Sequence, residues 1–125
     1  MRKKIVAGNW KMNLDKSSSE HLVKEILEST QEKKDIQIVL SPPFIYLEQV
    51  VKDCVSRPDV LIAAQNCSAY DNGAFTGEVS TNMLKSIGVD YVIIGHSERR
   101  QLFSEYNDVL MNKISLSLSN NLKVI

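Results

Sequence analysis

Short apolar runs alternate along the chain with longer stretches in which apolar residues recur every three or four positions. Ile5-Val6-Ala7-Gly8-Asn9 reads as a strand, and Trp10-Lys11-Met12-Asn13 as the loop into a helix. The spacing predicts that helix over 17–30, with Leu22, Val23, Ile26 and Leu27 on one stripe and Ser17 and Glu20 placed for a reciprocal cap. His21 lies beside the stripe among charged neighbours and reads as an exposed helix residue. Ile36-Gln37-Ile38-Val39-Leu40 is a second strand, stopped by Ser41-Pro42-Pro43 because proline cannot donate to a ladder. Leu47, Val50, Val51 and Cys54 predict a helix over 46–55 with Cys54 on its packing face. A third strand covers 61–65.

Residues 66–79 form a long irregular stretch holding glycines and an aromatic. Connections in compact domains usually take about 4–6 residues, and longer ones are often functional, so this loop reads as a protruding contact arm. Ser80 caps a short helix whose Met83, Leu84 and Ile87 face inward, and Gly88 suits the left-handed position after its end. A fourth strand covers 91–94. Asn107 or Asp108 caps a further helix with Leu110, Ile114 and Leu118 at four-residue spacing, and a fifth strand begins at 122–125. Strand and helix thus alternate with mostly short connectors, which predicts a parallel sheet with right-handed crossovers. An open doubly wound sheet and a barrel both satisfy that pattern. Neither a GxGxxG turn after the first strand nor a P-loop is present.

The 125 residues suffice for one domain with a real core. Basic and acidic side chains number 15 each, so the general electrostatic footprint of a nucleic-acid binder is missing. No apolar run approaches the roughly 20 residues that span a bilayer, and the apolar run after Lys4 is too short for a signal-peptide core. Cys54 and Cys67 are the only cysteines, lack CxxC spacing and find no zinc pattern in the two histidines. Buried, reduced thiols in a cytoplasmic protein are the expectation, with no metal and no cofactor.

Two polar clusters follow strands. In Tyr91-Val92-Ile93-Ile94-Gly95-His96-Ser97-Glu98-Arg99-Arg100 a glycine turns the backbone after a strand and places His96 at the mouth of a helix, the end of an α/β sheet where ligands bind. Asn9 and Lys11 end the first strand similarly. If the backbone stays extended to residue 11 they point to one side, an amide and an ammonium suited to a small anion. A solvated lysine beside a turn asparagine is the plainer alternative.

Ala7-Gly8-Asn9-Trp10-Lys11-Met12-Asn13 and Ile94-Gly95-His96-Ser97-Glu98-Arg99-Arg100 resemble the two N-terminal signatures of the triosephosphate isomerase family. Leu40-Ser41-Pro42-Pro43, Ala64-Gln65-Asn66 and Gly73-Ala74-Phe75-Thr76-Gly77-Glu78 are similar to its other landmarks, in the same order. The resemblance implies an α/β (β/α)8 TIM barrel with its site at the C-terminal ends of the strands. The chain is then expected to supply the first four βα units and the start of strand five, with 1–125 the N-terminal half of one domain. It implies interconversion of dihydroxyacetone phosphate and D-glyceraldehyde 3-phosphate through an enediolate, in glycolysis and gluconeogenesis, without cofactor or metal. His96 is implied as the electrophile, Lys11 as the cation that attracts phosphate and enediolate charge, and Asn9 as a substrate and lysine positioner. Glu98 resembles the carboxylate that orients Lys11. A neutral His96 ring is a known property of this family rather than a deduction from the sequence; the positive end of the following helix gives it a physical reason. Thr76 matches the arm that reaches the partner subunit in the family's homodimer, while Arg99 and Arg100 read as structural ion-pair residues.

The family's base lies in a Tyr-Glu-Pro-x-Trp-like segment after the sixth strand, followed by a closing loop and glycine-rich phosphate turns, and these 125 residues contain none of them. Such barrels take about 250 residues. The 125 residues by themselves are therefore expected to be inactive, with two open strand edges. A non-catalytic half-barrel scaffold is the alternative from another functional class.

Overall fold

A computed structural model describes residues 3–125. Strand β1 (Lys4–Asn9) leads through helix α1 (Lys16–Ser29) to β2 (Ile36–Ser41), and α2 (Leu47–Asp53) then leads to β3 (Val60–Ala64). Helix α3 (Thr81–Ser86) precedes β4 (Tyr91–Val92), and α4 (Ser97–Leu102) with α5 (Asn107–Ser119) precedes β5 (Lys123–Val124). The strands pair in parallel in the order β1-β2-β3-β4-β5. A doubly wound sheet reverses its strand order at a switch point. Here the order never reverses, which leaves the barrel: the five strands form the curled first half of a (β/α)8 barrel.

The two sides of the sheet differ as a barrel requires. Register places Ile38 beside Val60, Leu40 beside Ile62 and Ala64 beside Val92. These residues join Val23, Leu47, Val50, Cys54, Leu84 and Leu122 in the main core, between the strands and the helices. Each such aliphatic side chain contributes about 1.5–3 kcal/mol by leaving water. The opposite side carries a smaller cluster, Val39, Ala63 and Tyr91, with Leu61 against it. There the Tyr91 hydroxyl donates to Gln37 Oε1 at 3.1 Å, and the Lys123 ammonium lies 5.0 Å from the Tyr91 ring centroid. Strand β1 is less covered than the rest, with Val6 62% exposed on the helix side.

The apolar pattern located all five strands and the helices α1, α2, α3 and α5. Helix α4 was expected only as a polar segment after His96, and the short 3-10 turn at Phe44–Tyr46 was not expected. The other departures have local causes. Helix α1 is capped by Asp15, whose Oδ1 accepts from the Ser18 N–H at 2.8 Å; the expected cap, Ser17, lies inside the first turn. Ser80 does cap α3, accepting from the Met83 N–H, and Gly88 does adopt the left-handed φ of +91°. Met83, expected inward, is 56% exposed, because Leu84 and Thr81 take the buried face of this short helix. Helix α5 begins at Asn107 with no side-chain cap from either Asn107 or Asp108. Its buried face is Leu110, Lys113 and Ser117, and the expected stripe partners Ile114 and Leu118 turn outward. Regular pairing in β4 covers only Tyr91–Val92, although Ile93 still donates to Ala64 and Ile94 to Ile125.

One buried ion pair fixes the end of α1. Arg57 donates from Nε to Asp59 Oδ1 at 2.9 Å and from Nη2 to Oδ2 at 3.0 Å, and its Nη1 reaches the carbonyls of Leu27 and Thr30. Those carbonyls belong to the helix end that lacks internal donors. The Arg57 hydrogen bonds hold the Asp59 carboxyl below the usual carboxylate range despite burial. A lowered native value stabilises the fold above the unfolded carboxylate pKa, and that contribution fades as pH falls through the native value. Asp59→Asn should therefore cost on the order of 2 kcal/mol at neutral pH. Denaturant melts of both proteins should converge as pH drops below about 4; a gap that stays constant down to the acid limit contradicts this role.

Candidate active site

The C-terminal ends of β1, β3 and β4 converge on one cavity of about 500 Å³, walled in part by Asn9, Lys11, Gln65, Asn66, His96 and Glu98. A groove of similar size between α1 and α2 is lined by Glu20, Lys24, Glu28, Gln49 and Asp53 with Val23 and Leu27. Its polar groups lie along helix flanks rather than at strand ends, so the first cavity is the candidate.

Lys11 does not continue the strand. Its φ is +54°, in the left-handed region that side chains bearing a Cβ enter at a cost of about 1–3 kcal/mol. The extended backbone expected at this point is thus corrected, yet Asn9 and Lys11 do share the cavity. Asn9 Oδ1 accepts the Lys11 N–H at 3.0 Å, and Gln65 Nε2 donates to the Lys11 carbonyl at 2.9 Å. The same Gln65 amide donates to the Ser41 carbonyl, and Trp10 N–H also reaches that carbonyl. The turn that aims Lys11 is therefore clamped on both sides of its peptide.

Gly95 has φ +73°, and a Cβ there would lie 3.0 Å from Arg100 Nη2 and 3.3 Å from Leu110 Cδ1, so the turn after β4 needs glycine. Arg100 Nε donates to the Gly95 carbonyl at 2.9 Å. His96 then caps α4: its Nδ1 accepts the Glu98 N–H at 3.1 Å. A ring nitrogen that accepts is unprotonated, so the ring is the neutral tautomer with its proton on Nε2. The 3.6 Å approach of Glu98 Oε2 to Nδ1 is accordingly no ion pair. Glu98 pairs instead with Lys11, Oε1 to Nζ at 2.6 Å, across a half-exposed gap. The Lys11 hydrogen bond holds the Glu98 carboxyl below its ordinary value. A carboxylate so held is a weak proton acceptor, which suits it to orienting Lys11.

Behind this surface lies a buried network that the sequence reading did not find. Glu105 Oε1 accepts from Arg99 Nε at 2.8 Å and from the Lys113 ammonium, which also donates to Asn66 Oδ1 at 2.8 Å. The Glu105 and Lys113 side chains are 8% and 5% exposed. Burial pushes the Glu105 carboxyl up, but the hydrogen bonds from Lys113 and Arg99 outweigh it and leave the carboxyl below its ordinary value. The available signal was Lys113 itself, at the i+3 position from Leu110 on a face counted only for its apolar members. Arg99 also stacks on Phe103, 4.6 Å from the ring centroid, as its reading as a structural residue anticipates. Thr76 does not join the cavity walls; it lies exposed in the 66–79 loop, whose Tyr70 and Phe75 rings stack 3.9 Å apart. That loop is closed at its base by Ser68 N–H donating to the Val79 carbonyl at 2.9 Å. Cys54 and Cys67 are free and buried, and burial pushes the Cys54 thiol up to about 11.

A model of the triosephosphate isomerase family matches residues 4–125. The chain belongs to this family. Relatives named triosephosphate isomerase include those of Flavobacterium psychrophilum, 43% identical over all of this chain and 50% of the relative, and Cytophaga hutchinsonii, 47% identical over 98% and 49%. The relative from Alkaliphilus oremlandii is 45% identical over the full chain and half of its own length. The chain spans about half the length of the curated relatives it matches. Triosephosphate isomerase relatives thus share the stretch in which Asn9, Lys11, His96 and Glu98 occur. Among the described residues no helix is long and apolar enough to cross a membrane.

The Lys11–Glu98 pair gives a direct test. Lys11→Met removes the donor that lowers Glu98, so the Glu98 carboxyl should titrate closer to its ordinary value of 4.5. Carbon-detected NMR titration reads this, and an unmoved midpoint rules the pairing out in solution.

Proposed function

We propose that Asn9, Lys11, His96 and Glu98 form the electrophilic half of a triose-phosphate isomerase site, and that residues 1–125 make the N-terminal half of one (β/α)8 domain. The observation that carries this reading is the His96 ring: Nδ1 is occupied by the Glu98 N–H, leaving Nε2–H as the free donor of a ring that lines the same cavity as Lys11. The substrate is a small phosphorylated triose. In the reaction a carboxylate base takes a proton from the carbon next to the carbonyl, and negative charge builds on the oxygens of the resulting enediolate. His96 Nε2–H donates to those oxygens, most strongly when the charge is largest, so it stabilises the transition state more than the substrate. Lys11 attracts the phosphate and the developing charge, and Glu98 and Asn9 hold it in place. Proton abstraction falls to the Glu-Pro-x-Trp-like segment that the family resemblance implies, while the ion pair with Lys11 suits Glu98 to orienting that lysine. We further place the protein in the cytoplasm, in glycolysis and gluconeogenesis.

In the protein carrying that segment, His96→Gln should lower kcat by about 10²–10³ while changing KM much less. A loss confined to KM would instead make His96 a binding residue.

The same reading includes a homodimer. The cavity rim holds Met12, 95% exposed, with the exposed Phe44, Leu102 and Phe103, an apolar margin that suits a partner's loop. The 66–79 arm is stiffened by its stacked rings and carries Thr76 at its exposed end. Thr76→Asp places a charge where that arm meets the apolar rim, and it should shift the protein towards monomer in sedimentation velocity. An unchanged dimer at micromolar concentration argues against an arm contact at this position.

A further inference from the structure

We propose that Glu105 is a positioning residue for this site: its buried carboxylate ties the strand corner that braces Lys11 to the helix that carries Glu98. The inference rests on the site assignment above but needs no turnover to be tested.

A single oxygen is the junction. From Glu105 Oε1 one path runs through Lys113 to Asn66 Oδ1, and Asn66 adjoins Gln65, whose amide grips the Lys11 and Ser41 carbonyls. The other path runs through Arg99 Nε into α4, which carries Glu98 immediately before Arg99 and is capped by His96. The two paths therefore end on the two partners of the Lys11–Glu98 pair. That pair has reason to need outside support. Its side chains are 51% and 45% exposed, where an ion pair holds little by itself, and Lys11 sits on a left-handed backbone that relaxes if unclamped. The Glu105 network is instead more deeply buried than that pair and charge-assisted at each link, so it can fix distances that an exposed pair cannot. Glu105 Oε2 is buried with no hydrogen-bond partner among the described residues, so both cations depend on the one oxygen.

Glu105→Gln keeps the size and one acceptor but removes the charge. In the full protein, carbon-detected titration of Glu98 reads how tightly Lys11 is held. The midpoint should rise towards the ordinary carboxylate range in Glu105→Gln. It should rise by a smaller step in Asn66→Ala, which cuts the path to β3 and leaves the Glu105–Lys113 pair intact. Asp59→Asn breaks a comparably buried ion pair at the opposite end of the strands and should leave Glu98 unmoved. An unmoved Glu98 in both network variants overturns the inference, as does an equal shift in Asp59→Asn, which would show general loosening. If Glu105→Gln does not fold, Asn66→Ala against Asp59→Asn decides alone. In the isomerase assay kcat should fall at least about tenfold in Glu105→Gln, as misplacement of the reacting groups requires. A parent that isomerises nothing counts against the proposed reaction and leaves the Glu98 titration to decide the positioning role.

Discussion

The left-handed peptide at Lys11 is the constraint around which this end of the molecule is arranged. An extended backbone would continue β1 through residue 11, whereas φ of +54° turns the chain at the end of the strand. That conformation is costly for lysine and persists only where its surroundings over-determine it. Asn9 supplies an acceptor for its N–H, Gln65 a donor for its carbonyl, and Glu98 an anion for its side chain. Each comes from a different strand end: β1, β3 and β4. Parallel pairing brings those three ends to one rim, so the topology and the local strain are parts of one arrangement.

His96 obeys a similar economy. The residue after Gly95 serves the helix as its cap and serves the cavity as a donor, because one ring nitrogen is committed to each task. Capping by Nδ1 decides the tautomer without any further partner. Gly95 makes this possible by turning the backbone where a Cβ would strike Arg100 and Leu110.

Strands and helices were legible in the sequence because burial on one side of a parallel sheet leaves a strong apolar period. The candidate site was legible because Asn9, Lys11 and His96 follow strands directly, where chemistry in α/β folds collects. What the pattern missed has a common cause: it counts apolar residues and ignores polar groups that are buried in pairs. The inner face of α5 was assigned to Ile114 and Leu118, yet Lys113 and Ser117 occupy it because Glu105 and Asn66 are there to satisfy the ammonium. Asp15 displaced Ser17 as the cap of α1 by position, since both can accept from a backbone N–H and only the former precedes the helix. Barrel against open sheet needed the strand order, which no local pattern encodes.

The central claim is that these residues are the electrophilic half of a working isomerase site, which the other half completes with the base, the closing loop and the phosphate turns. The direct measurement joins residues 1–125 in frame to the C-terminal half of the Flavobacterium psychrophilum relative and assays dihydroxyacetone phosphate conversion. The account predicts turnover by the folded hybrid and none by residues 1–125 alone. A folded hybrid that leaves the substrate unchanged, or residues 1–125 converting it unaided, would contradict it.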